Sequence, residues 1–421
     1  MSHNAHIPIG PYHPLQEEPE FYKLVVDGEK VVDVDVRIGY NHRGIEKLSE
    51  SKSYDQSIFL VERICGICSS SHPIACCQAL EDIGCIEVPE RALYIRSICQ
   101  ELERLHSHML WLGLAGHFIG YNTVFMWAWK YREPICDIME TVTGNRQNYA
   151  MHKVGGVRRD IEKEHVSYIL KRLDEFTKHL SMLKGAVLDD PVLHERLKGV
   201  GILTKEDAID YAAIGPVARA SGVDIDVRRD HPYGVYDRVK WNVITQEEGD
   251  VFAKAVVRIL EMFESVNIIR QCLDKMPEGP IDSKPKDIPP GEGIGQIEAP
   301  RGECFHYIKS DGTNSPVRHK VRAPTYMNFP TFRETVVGET ISDATIILAA
   351  IDPCYCCTER MLIVNAGDKK VMDVNELIRL SQEKTRRIKE RVVIARPEGP
   401  KPSPIESAIA SAPFGRLAMT I

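Results

Sequence analysis

The sequence lacks an uninterrupted apolar stretch long enough to cross a lipid bilayer. The nearest candidate runs from Met109 to Trp129, but His117, Asn122 and three glycines interrupt it, and polar groups inside a bilayer are costly. We therefore predict buried helices there and no transmembrane helix. Residues 1–10 also lack a basic start followed by an apolar run, so we expect no secretory signal.

The chain also lacks an excess of positive charge, since its 53 lysines and arginines are outnumbered by 60 aspartates and glutamates and the formal net charge is −7. This balance argues against nucleic acid as the main partner, because phosphate binding needs a positive field. Gly291, Gly293 and Gly295 follow no predicted strand, so they do not form a phosphate-binding fingerprint. The ordinary composition, 43% hydrophobic and 27% charged, predicts a large soluble enzyme or enzyme subunit.

The twelve cysteines show no sign of a disulfide framework, and without a secretory signal we expect reduced thiols in the cytoplasm. Two pairs differ from the rest: Arg63-Ile-Cys65-Gly-Ile-Cys68-Ser-Ser-Ser-His72 and Asp352-Pro-Cys354-Tyr-Cys-Cys357-Thr-Glu-Arg360. The two-residue gap lets two sulfurs converge on one ion, and four thiolates suit a soft transition metal. Spacing alone leaves a structural zinc clip and an iron–sulfur cluster open.

Most of the remaining cysteines are expected to be small buried hydrophobic residues. They are Cys76, Cys77, Cys85, Cys99, Cys136, Cys272 and Cys304.

Hydrophobic patterning predicts an α+β chain that is mainly helical, with a central helical bundle, an N-terminal β-hairpin and small peripheral sheets. The predicted segments are a hairpin over 21–36 turning at Asp27-Gly28, helices from Pro89, over 160–183 and over 247–276, a Pro- and Gly-rich loop over 277–300, a hairpin over 304–322, a strand over 361–365 and a helix over 373–392. We expect one interwoven domain, 1–421, whose parts are a β region (1–45), a helical core with the first cysteine pair (46–276), a region with the second pair (277–360) and a C-terminal extension (361–421).

Both cysteine motifs are complete, and they resemble the metal motifs of the [NiFe]-hydrogenase large subunit. Further stretches agree: Pro8-Ile-Gly-Pro-Tyr-His13-Pro, Gly39-Tyr-Asn-His-Arg-Gly44, Glu101-Leu-Glu-Arg-Leu-His-Ser-His108, Gly144-Asn-Arg146, Gly155-Gly-Val-Arg-Arg159 and Glu298-Ala-Pro-Arg301-Gly302. The sequence is most similar to the membrane-bound, energy-converting type (group 4), which is related to the quinone-site subunit of respiratory complex I. The resemblance implies the hydrogenase large-subunit fold.

The resemblance also implies a ligand set for a nickel–iron centre. By motif position, Cys65 and Cys354 are terminal nickel ligands, while Cys68 and Cys357 bridge nickel and an iron ion that carries carbon monoxide and cyanide. Cys356 is a bystander. Complex I subunits lack these cysteines, so the full set favours a hydrogenase, which splits H2 reversibly into protons and electrons.

A proton acceptor close to the metals is needed for that reaction. The resemblance gives the first acceptor as Cys354 and the next carrier as Glu18, with its neighbour Glu17 as the competing choice. An exposed glutamate pair is more often plain surface charge.

Three further residues resemble parts of the family's site. Arg301 matches the arginine that overhangs the metals and pairs with Asp352, for which a structural ion pair is the alternative. His72 fits a hydrogen-bond donor to a cysteine sulfur, for which a satisfied core histidine is the alternative. The other histidines are left as structural.

Electrons need a path out, and the chain has no third cysteine cluster for an iron–sulfur relay. The resemblance implies a small subunit with a [4Fe-4S] cluster, ferredoxin as carrier, and membrane subunits that move protons or sodium, at the cytoplasmic face of the cell membrane. Two alternatives stay open: a hydrogenase-like redox subunit acting on a quinone or a sulfur compound, and a cysteine-clipped structural subunit. Cleavage near Arg360 and Met361, as in many family members, also stays open.

Overall fold

The computed structural model describes residues 4–13, 16, 18–285, 287–358, 364–365, 368–371, 379–380 and 382–387. Glu17, Arg360 and Met361 lie outside the described residues. The chain forms two compact units, one of Met1–Arg37 with Gly44–Thr358 and one of Ile38–Arg43 with Glu359–Ile421. The predicted single domain and its four parts stay a prediction.

The structure is about half helical with small antiparallel sheets, which confirms the predicted α+β, mainly helical class. The helices of the described residues are α1 Ile45–Ser49, α2 Tyr54–Glu62, α3 Ser71–Gly84, α4 Glu90–Phe118, α5 Asn122–Thr143, α6 Lys163–Leu188, α7 Pro191–Leu197, α8 Lys205–Asp210, α9 Gly215–Ala220, α10 Val227–Asp230, α11 Val251–Lys275, α12 Pro324–Asn328, α13 Thr331–Val336, α14 Ile341–Ile351 and α15 Tyr355–Thr358.

Helix α4 is the centre of the bundle. It begins directly after Pro89, as predicted, and it packs against α5, α11 and α14. Its residues are buried on nearly all sides, so neighbouring helices cover it instead of solvent. Helix α11 begins at Asp250, whose side chain accepts the N–H of Ala253 at 2.7 Å and caps the helix. The predicted helices over 160–183 and 247–276 correspond to α6 and α11, with ends shifted by a few residues.

The N-terminal sheet contains the predicted hairpin and one more strand. Its antiparallel strands are β1 Ala5–Ile9, β2 Phe21–Asp27 and β3 Lys30–Arg37. Tyr22, Leu24 and Val26 alternate toward the core along β2, as the period of a half-buried strand requires. Gly28 adopts φ 62° at the turn, a conformation that glycine reaches without strain.

The predicted loop over 277–300 is wrong in its second half, where the chain forms strand β6. Two antiparallel sheets follow α5 in the first unit, the pair β4 His152–Lys153 with β5 Gly156–Val157, and a sheet of β6 Pro290–Ala299, β7 Gly302–Asp311 and β8 Arg318–Arg322. A Cβ atom on Gly295 would lie 1.8 Å from the carbonyl oxygen of Ala75, on α3. The glycines of β6 therefore allow close backbone approach to a helix and do not mark a loop.

Charged side chains fill part of the interior beside α4. The buried network contains Arg104, Arg219, Arg228, Glu101, Asp226, Glu261 and Glu298. Three arginines thus face four carboxylates. Burial and the negative charge of Asp226 raise the pKa of Glu298 to about 7, so this carboxyl is the one whose charge is least well compensated.

Among the described residues, no helix is both long enough and apolar enough to cross a membrane. The interrupted run from Met109 to Trp129 forms the end of α4 and the start of α5. In the second unit, β9 Val364–Asn365 pairs antiparallel with β10 Asp368–Val371, which fits the end of the predicted strand over 361–365. Residues 379–380 and 382–387 are helical, and the rest of the predicted helix over 373–392 lies outside the described residues.

Candidate metal centre

The first cysteine pair lies on the connection between α2 and α3. The hydroxyl of Ser69 donates to the carbonyl oxygens of Cys65 at 3.3 Å and Gly66 at 2.9 Å, which folds this connection into a tight turn. The backbone N–H of Ile67 donates to the Cys65 sulfur at 3.3 Å. Both Cys65 and Cys68 are buried.

The second pair follows α14. Asp352 ends this helix with φ 59°, a left-handed conformation that aspartate tolerates better than most residues. The backbone N–H of Cys354 donates to Thr325 Oγ1 at 3.0 Å, and Thr358 Oγ1 donates back to the Cys354 carbonyl at 2.8 Å. These bonds fix the short helix α15, which carries Cys357.

The four sulfurs converge although the pairs are far apart in sequence. Cys354 Sγ lies 3.3 Å from Cys65 Sγ and 3.0 Å from Cys357 Sγ. The sulfurs of Cys65, Cys68 and Cys357 all lie within 4.8 Å of one another. Metal–sulfur bonds are about 2.3 Å long, so a buried cluster of this size fits one metal ion or two adjacent ions.

The electrostatic surroundings favour thiolate at one of these sulfurs. Hydrogen bonds from Cys354, Cys357 and Cys68 lower the pKa of Cys65 well below the usual range for a thiol, and the positive charge of Arg301 adds to this effect. Thiolates are the form that binds metals. The donor set therefore suits a soft transition metal.

Arg301 lies over the cysteines at the β6–β7 turn, where Ala299 and Gly302 pair across two intervening residues. Its Nη1 donates to Ser107 Oγ at 3.2 Å and lies 3.9 Å from the Cys68 sulfur. Its Nη2 forms an ion pair with Asp352 at 2.6 Å. Burial alone lowers the pKa of Arg301, but Asp352 and the cysteine sulfurs outweigh burial and raise it well above its usual value, so the guanidinium stays charged.

His72 lies in the first turn of α3, four residues after Cys68. Its Nε2 lies 3.3 Å from the Cys357 sulfur, within hydrogen-bonding distance for sulfur. Its Nδ1 lies 3.0 Å from His306 Nε2. The histidine predicted as a sulfur donor thus lies next to a sulfur of the second pair.

Glu18 reaches the same region from the N-terminal segment. Its Oε2 accepts the backbone N–H of Cys356 at 2.8 Å, between the two cysteines of the second pair. Burial and the charge of Cys65 raise the pKa of this carboxyl. A raised pKa makes it easier for a carboxyl group close to metal ligands to take up a proton as well as to release one.

Glu103 is a site-adjacent residue that the sequence did not reveal. Its carboxylate accepts the backbone N–H of Ser71 at 3.2 Å, together with the Ser71 hydroxyl and the backbone N–H of Ser70. Burial raises the pKa of Glu103 to about 8, with a further contribution from Cys65, although these donors oppose the rise. Glu103 lies within the motif Glu101–His108, which carried the resemblance but gave no role to this side chain.

The remaining cysteines agree with expectation except one. None of the twelve forms a disulfide bond, and Cys76, Cys99 and Cys136 are buried as expected. Cys85 is exposed, because it ends α3 in a left-handed conformation at the surface, with φ 45°. Cys304 is buried as expected, and its sulfur also lies 3.5 Å from His72 Nδ1, so it contacts a polar side chain next to the cysteine cluster.

Two family models match the chain. Residues 119–288 and 283–360 match the model of the respiratory-chain NADH dehydrogenase 49 Kd subunit, and residues 43–114 match that of nickel-dependent hydrogenases. The nickel-dependent segment contains Cys65, Cys68 and His72. The chain belongs to this family of hydrogenase and complex I large subunits.

Individual relatives agree with this family. The membrane-bound hydrogenase subunit alpha of Pyrococcus furiosus is 43% identical over 403 residues, which is 92% of this chain and 94% of the relative. The carbon monoxide-induced hydrogenase of Rhodospirillum rubrum is 43% identical over 356 residues, 84% of this chain and 99% of the relative. These values confirm the resemblance to group 4 hydrogenase-like large subunits.

A solved structure has the same hydrogenase-like fold. It is a chain of the membrane-bound sulfane sulfur reductase, an archaeal respiratory membrane complex, with a TM-score of 0.82 and 30% identity. The match covers 85% of this chain and 98% of the other. The family therefore contains oxidoreductases with different acceptors.

Proposed function

We propose that this chain is the catalytic subunit of an energy-converting [NiFe]-hydrogenase that oxidises H2 or reduces protons reversibly. The observation that carries the proposal is the convergence of two distant cysteine pairs in one buried cluster, with Cys354 Sγ 3.3 Å from Cys65 Sγ. The match of residues 43–114 to nickel-dependent hydrogenases supports nickel as the metal. A role in quinone chemistry alone does not require four converging sulfurs.

The four cysteines would hold the nickel–iron centre. Cys65 and Cys354 are assigned as terminal nickel ligands and Cys68 and Cys357 as bridges to an iron ion that carries carbon monoxide and cyanide. When bound, this centre supplies the site at which H2 is split into a hydride and a proton. The chain's own residues accept the proton and supply a fixed positive charge beside the centre.

Cys354 is proposed as the first proton acceptor and Glu18 as the next carrier. Glu18 is anchored to the backbone of Cys356, so its carboxyl group is held beside the second cysteine pair. Its raised pKa brings it closer to the pH at which a carboxyl group can both take and release a proton.

Arg301 is proposed to polarise the substrate and Asp352 to keep Arg301 in place. The guanidinium is buried, charged and directed at the Cys68 sulfur. A fixed positive charge in a site without water acts more strongly than in solvent. His72 is proposed to donate a hydrogen bond to Cys357, which would reduce the electron density on this sulfur.

A partner subunit is needed for electron transfer. We infer a small subunit with a [4Fe-4S] cluster, ferredoxin as electron carrier, and membrane subunits that move protons or sodium, with this chain peripheral at the cytoplasmic face. Support comes from the relative described as a membrane-bound hydrogenase subunit and from the solved chain of a respiratory membrane complex.

A second candidate is a hydrogenase-like redox subunit that acts on a quinone or a sulfur compound. The observation in its favour is the similarity to a chain of a sulfane sulfur reductase. The two candidates predict different reactions for the same cysteine cluster, so the acceptor is the property to measure.

The deciding experiment is metal analysis of the purified complex together with infrared spectroscopy. The hydrogenase predicts nickel and iron in equal amounts, bands from carbon monoxide and cyanide, and H2-dependent reduction of ferredoxin. Cys357→Ser should abolish nickel binding, while Cys85→Ser, at an exposed cysteine outside the cluster, should not. Activity with polysulfide but none with H2 favours the second candidate, and zinc alone indicates a structural clip.

A further inference from the structure

Three buried histidines form a line that leads away from Cys357. His72 Nδ1 lies 3.0 Å from His306 Nε2, and His306 Nδ1 lies 2.9 Å from His319 Nε2. His319 Nδ1 in turn lies 2.7 Å from the hydroxyl of Ser49. None of these four side chains is more than 1% exposed. We call this series the histidine line.

The fold brings these four side chains together from four separate elements. His306 on β7 pairs with Val321, and His319 on β8 pairs with Ile308, so the two histidines are diagonal neighbours on one face of the sheet. Helix α3 packs on this sheet and brings His72, while α1 packs on β8 and brings Ser49. Sequence separation hides the series, because no two of its members lie within ten residues of each other.

With neutral rings and a metal bound to Cys357, the hydrogen bonds of the histidine line run in one direction. A metal-bound thiolate accepts hydrogen bonds and cannot donate them, so His72 donates from Nε2. A neutral imidazole has one donor and one acceptor. His72 Nδ1 must then accept from His306, His306 Nδ1 from His319, and His319 Nδ1 from Ser49.

Two surrounding features agree with this direction. Burial raises the pKa of Cys304 well above its usual value, so its sulfur keeps a proton that it can donate toward His72 Nδ1, 3.5 Å away. Burial also lowers the pKa of His319 to about 4, so this ring is neutral near pH 7. The Ser49 hydroxyl has two acceptors within reach, His319 Nδ1 at 2.7 Å and Ser57 Oγ at 3.2 Å, and the contact with His319 is the shorter.

We propose that His306 and His319 are positioning residues of the metal centre, which hold His72 in the tautomer that donates from Nε2 to Cys357. This inference rests on the proposed function only in taking Cys357 as a metal ligand. In metal sites, the group that hydrogen-bonds to the second ring nitrogen of a metal-bound histidine fixes its tautomer and ring orientation. The histidine line would apply the same control to a histidine that contacts the sulfur instead of the metal.

A metal ion held by the histidines themselves is the competing arrangement. Cys76, His306 and His319 lie close enough together to share an ion, as do His72, Cys304 and His306. The nitrogen–nitrogen distances of 2.9 and 3.0 Å are those of direct N–H···N hydrogen bonds. An ion would have to replace the protons that hold the line together.

The test uses the full chain loaded with cadmium, a soft ion that makes Cys357 a thiolate and whose own NMR signal distinguishes sulfur from nitrogen ligands. The tautomer of each ring is read from NMR of labelled histidine nitrogens. We expect Nε2–H on His72, His306 and His319, with cadmium bound by sulfur alone. Nδ1–H on His72, or cadmium bound by the histidines, would overturn the proposal.

A matched pair of variants separates positioning from packing. His319→Leu removes the donor to His306, whereas His319→Gln offers an amide N–H in its place. We expect His319→Leu to disturb the His72 tautomer and to weaken cadmium binding about 10-fold, and His319→Gln to restore both. Equal effects of the two variants, or none on the His72 signals, would contradict a positioning role.

Failure of the hydrogenase proposal gives a different pattern. A native complex without nickel or without carbon monoxide bands would refute the proposed function, and the cadmium-bound chain would still report the tautomers of the histidine line. In a nickel- and iron-loaded complex, His319→Leu should shift the infrared bands, and His319→Gln should leave them near the wild-type positions.

Discussion

Arg301 and Asp352 contact each other twice, through an ion pair of 2.6 Å between Nη2 and Oδ1 and a hydrogen bond of 2.9 Å from Nε to the Asp352 backbone carbonyl. The second contact is with the backbone that leads into Cys354. The β6–β7 turn and the second cysteine pair are therefore held together by a single guanidinium.

Arg301→Lys should lower H2 turnover about 100-fold while nickel content stays unchanged. Lysine keeps the charge but cannot make both contacts with Asp352 and also approach Cys68. The measurement is H2 uptake per nickel. Arg318→Lys is the control, because Arg318 makes a comparable contact of 3.0 Å with Glu50 at the protein surface. Near-normal turnover of Arg301→Lys would reduce Arg301 to a structural ion pair.

Arg301→Leu should also lower the free energy of unfolding, by about 3 kcal/mol, because it leaves the Asp352 carboxylate buried without its closest partner. Arg258 is the nearest other cation, at 3.9 Å from Asp352, and is too distant to replace it. Chemical denaturation of the metal-free chain gives this value. An unchanged unfolding midpoint would show that the buried Asp352 does not depend on Arg301 for its stability.

Glu18→Gln should lower H2 turnover by about 100-fold or more, since glutamine keeps the shape but cannot exchange a proton. Nickel content should not change, and Glu87→Gln at an exposed glutamate should have no effect. A variant with near-normal turnover would move the proton role to Glu17 or Arg301.

In the metal-free chain, the contribution of Glu103 to stability should fall as pH rises from about 4.5 to about 8. Glu103 has a folded-state pKa of about 8, so over this range the unfolded chain loses a proton that the folded chain keeps, and unfolding becomes easier. The expected slope from this group is about 1.4 kcal/mol per pH unit. Glu103→Gln should remove its share of the slope in pH-dependent denaturation, and an unchanged slope would contradict a raised pKa.

The chain alone should not pass electrons to ferredoxin at full rate, even when it carries nickel and iron. The cluster is buried, and electrons need a nearby relay to reach a protein carrier. We expect a permanent interface with the small subunit that buries more than about 1,600 Å². Full H2-dependent ferredoxin reduction by the isolated, loaded chain would disprove an obligatory electron-transfer partner.

The sequence predicted the features that depend on residues close together in the chain. The stripe after Pro89, the turn at Asp27-Gly28 and the spacing of both cysteine pairs each depend on neighbouring residues. The strand β6 was missed because Gly293 and Gly295 weaken the strand signal. Both positions need glycine because helix α3, more than two hundred residues earlier in the chain, packs directly against them.

The site residues divide in the same way. The sequence pointed to Arg301 and His72 because they belong to motifs that carried the resemblance. His306, His319 and Glu103 were missed, since their partners come from other elements and a lone histidine or glutamate carries no local signal. His306 shares a strand face with Cys304, two residues away, but that spacing acquires meaning only once α3 covers the sheet.

The missing side chain at Gly295 allows the close packing of helix and sheet on which the position of the cysteine cluster depends. Helix α3 follows the first cysteine pair and carries His72, and it approaches β6 so closely that even a methyl group would collide with its backbone. Any substitution there would push α3 away from the sheet and lengthen the reach from His72 to His306. Harmful mutations should therefore accumulate on this bare strand as well as among the cysteines, at positions that touch neither a sulfur nor a proton carrier.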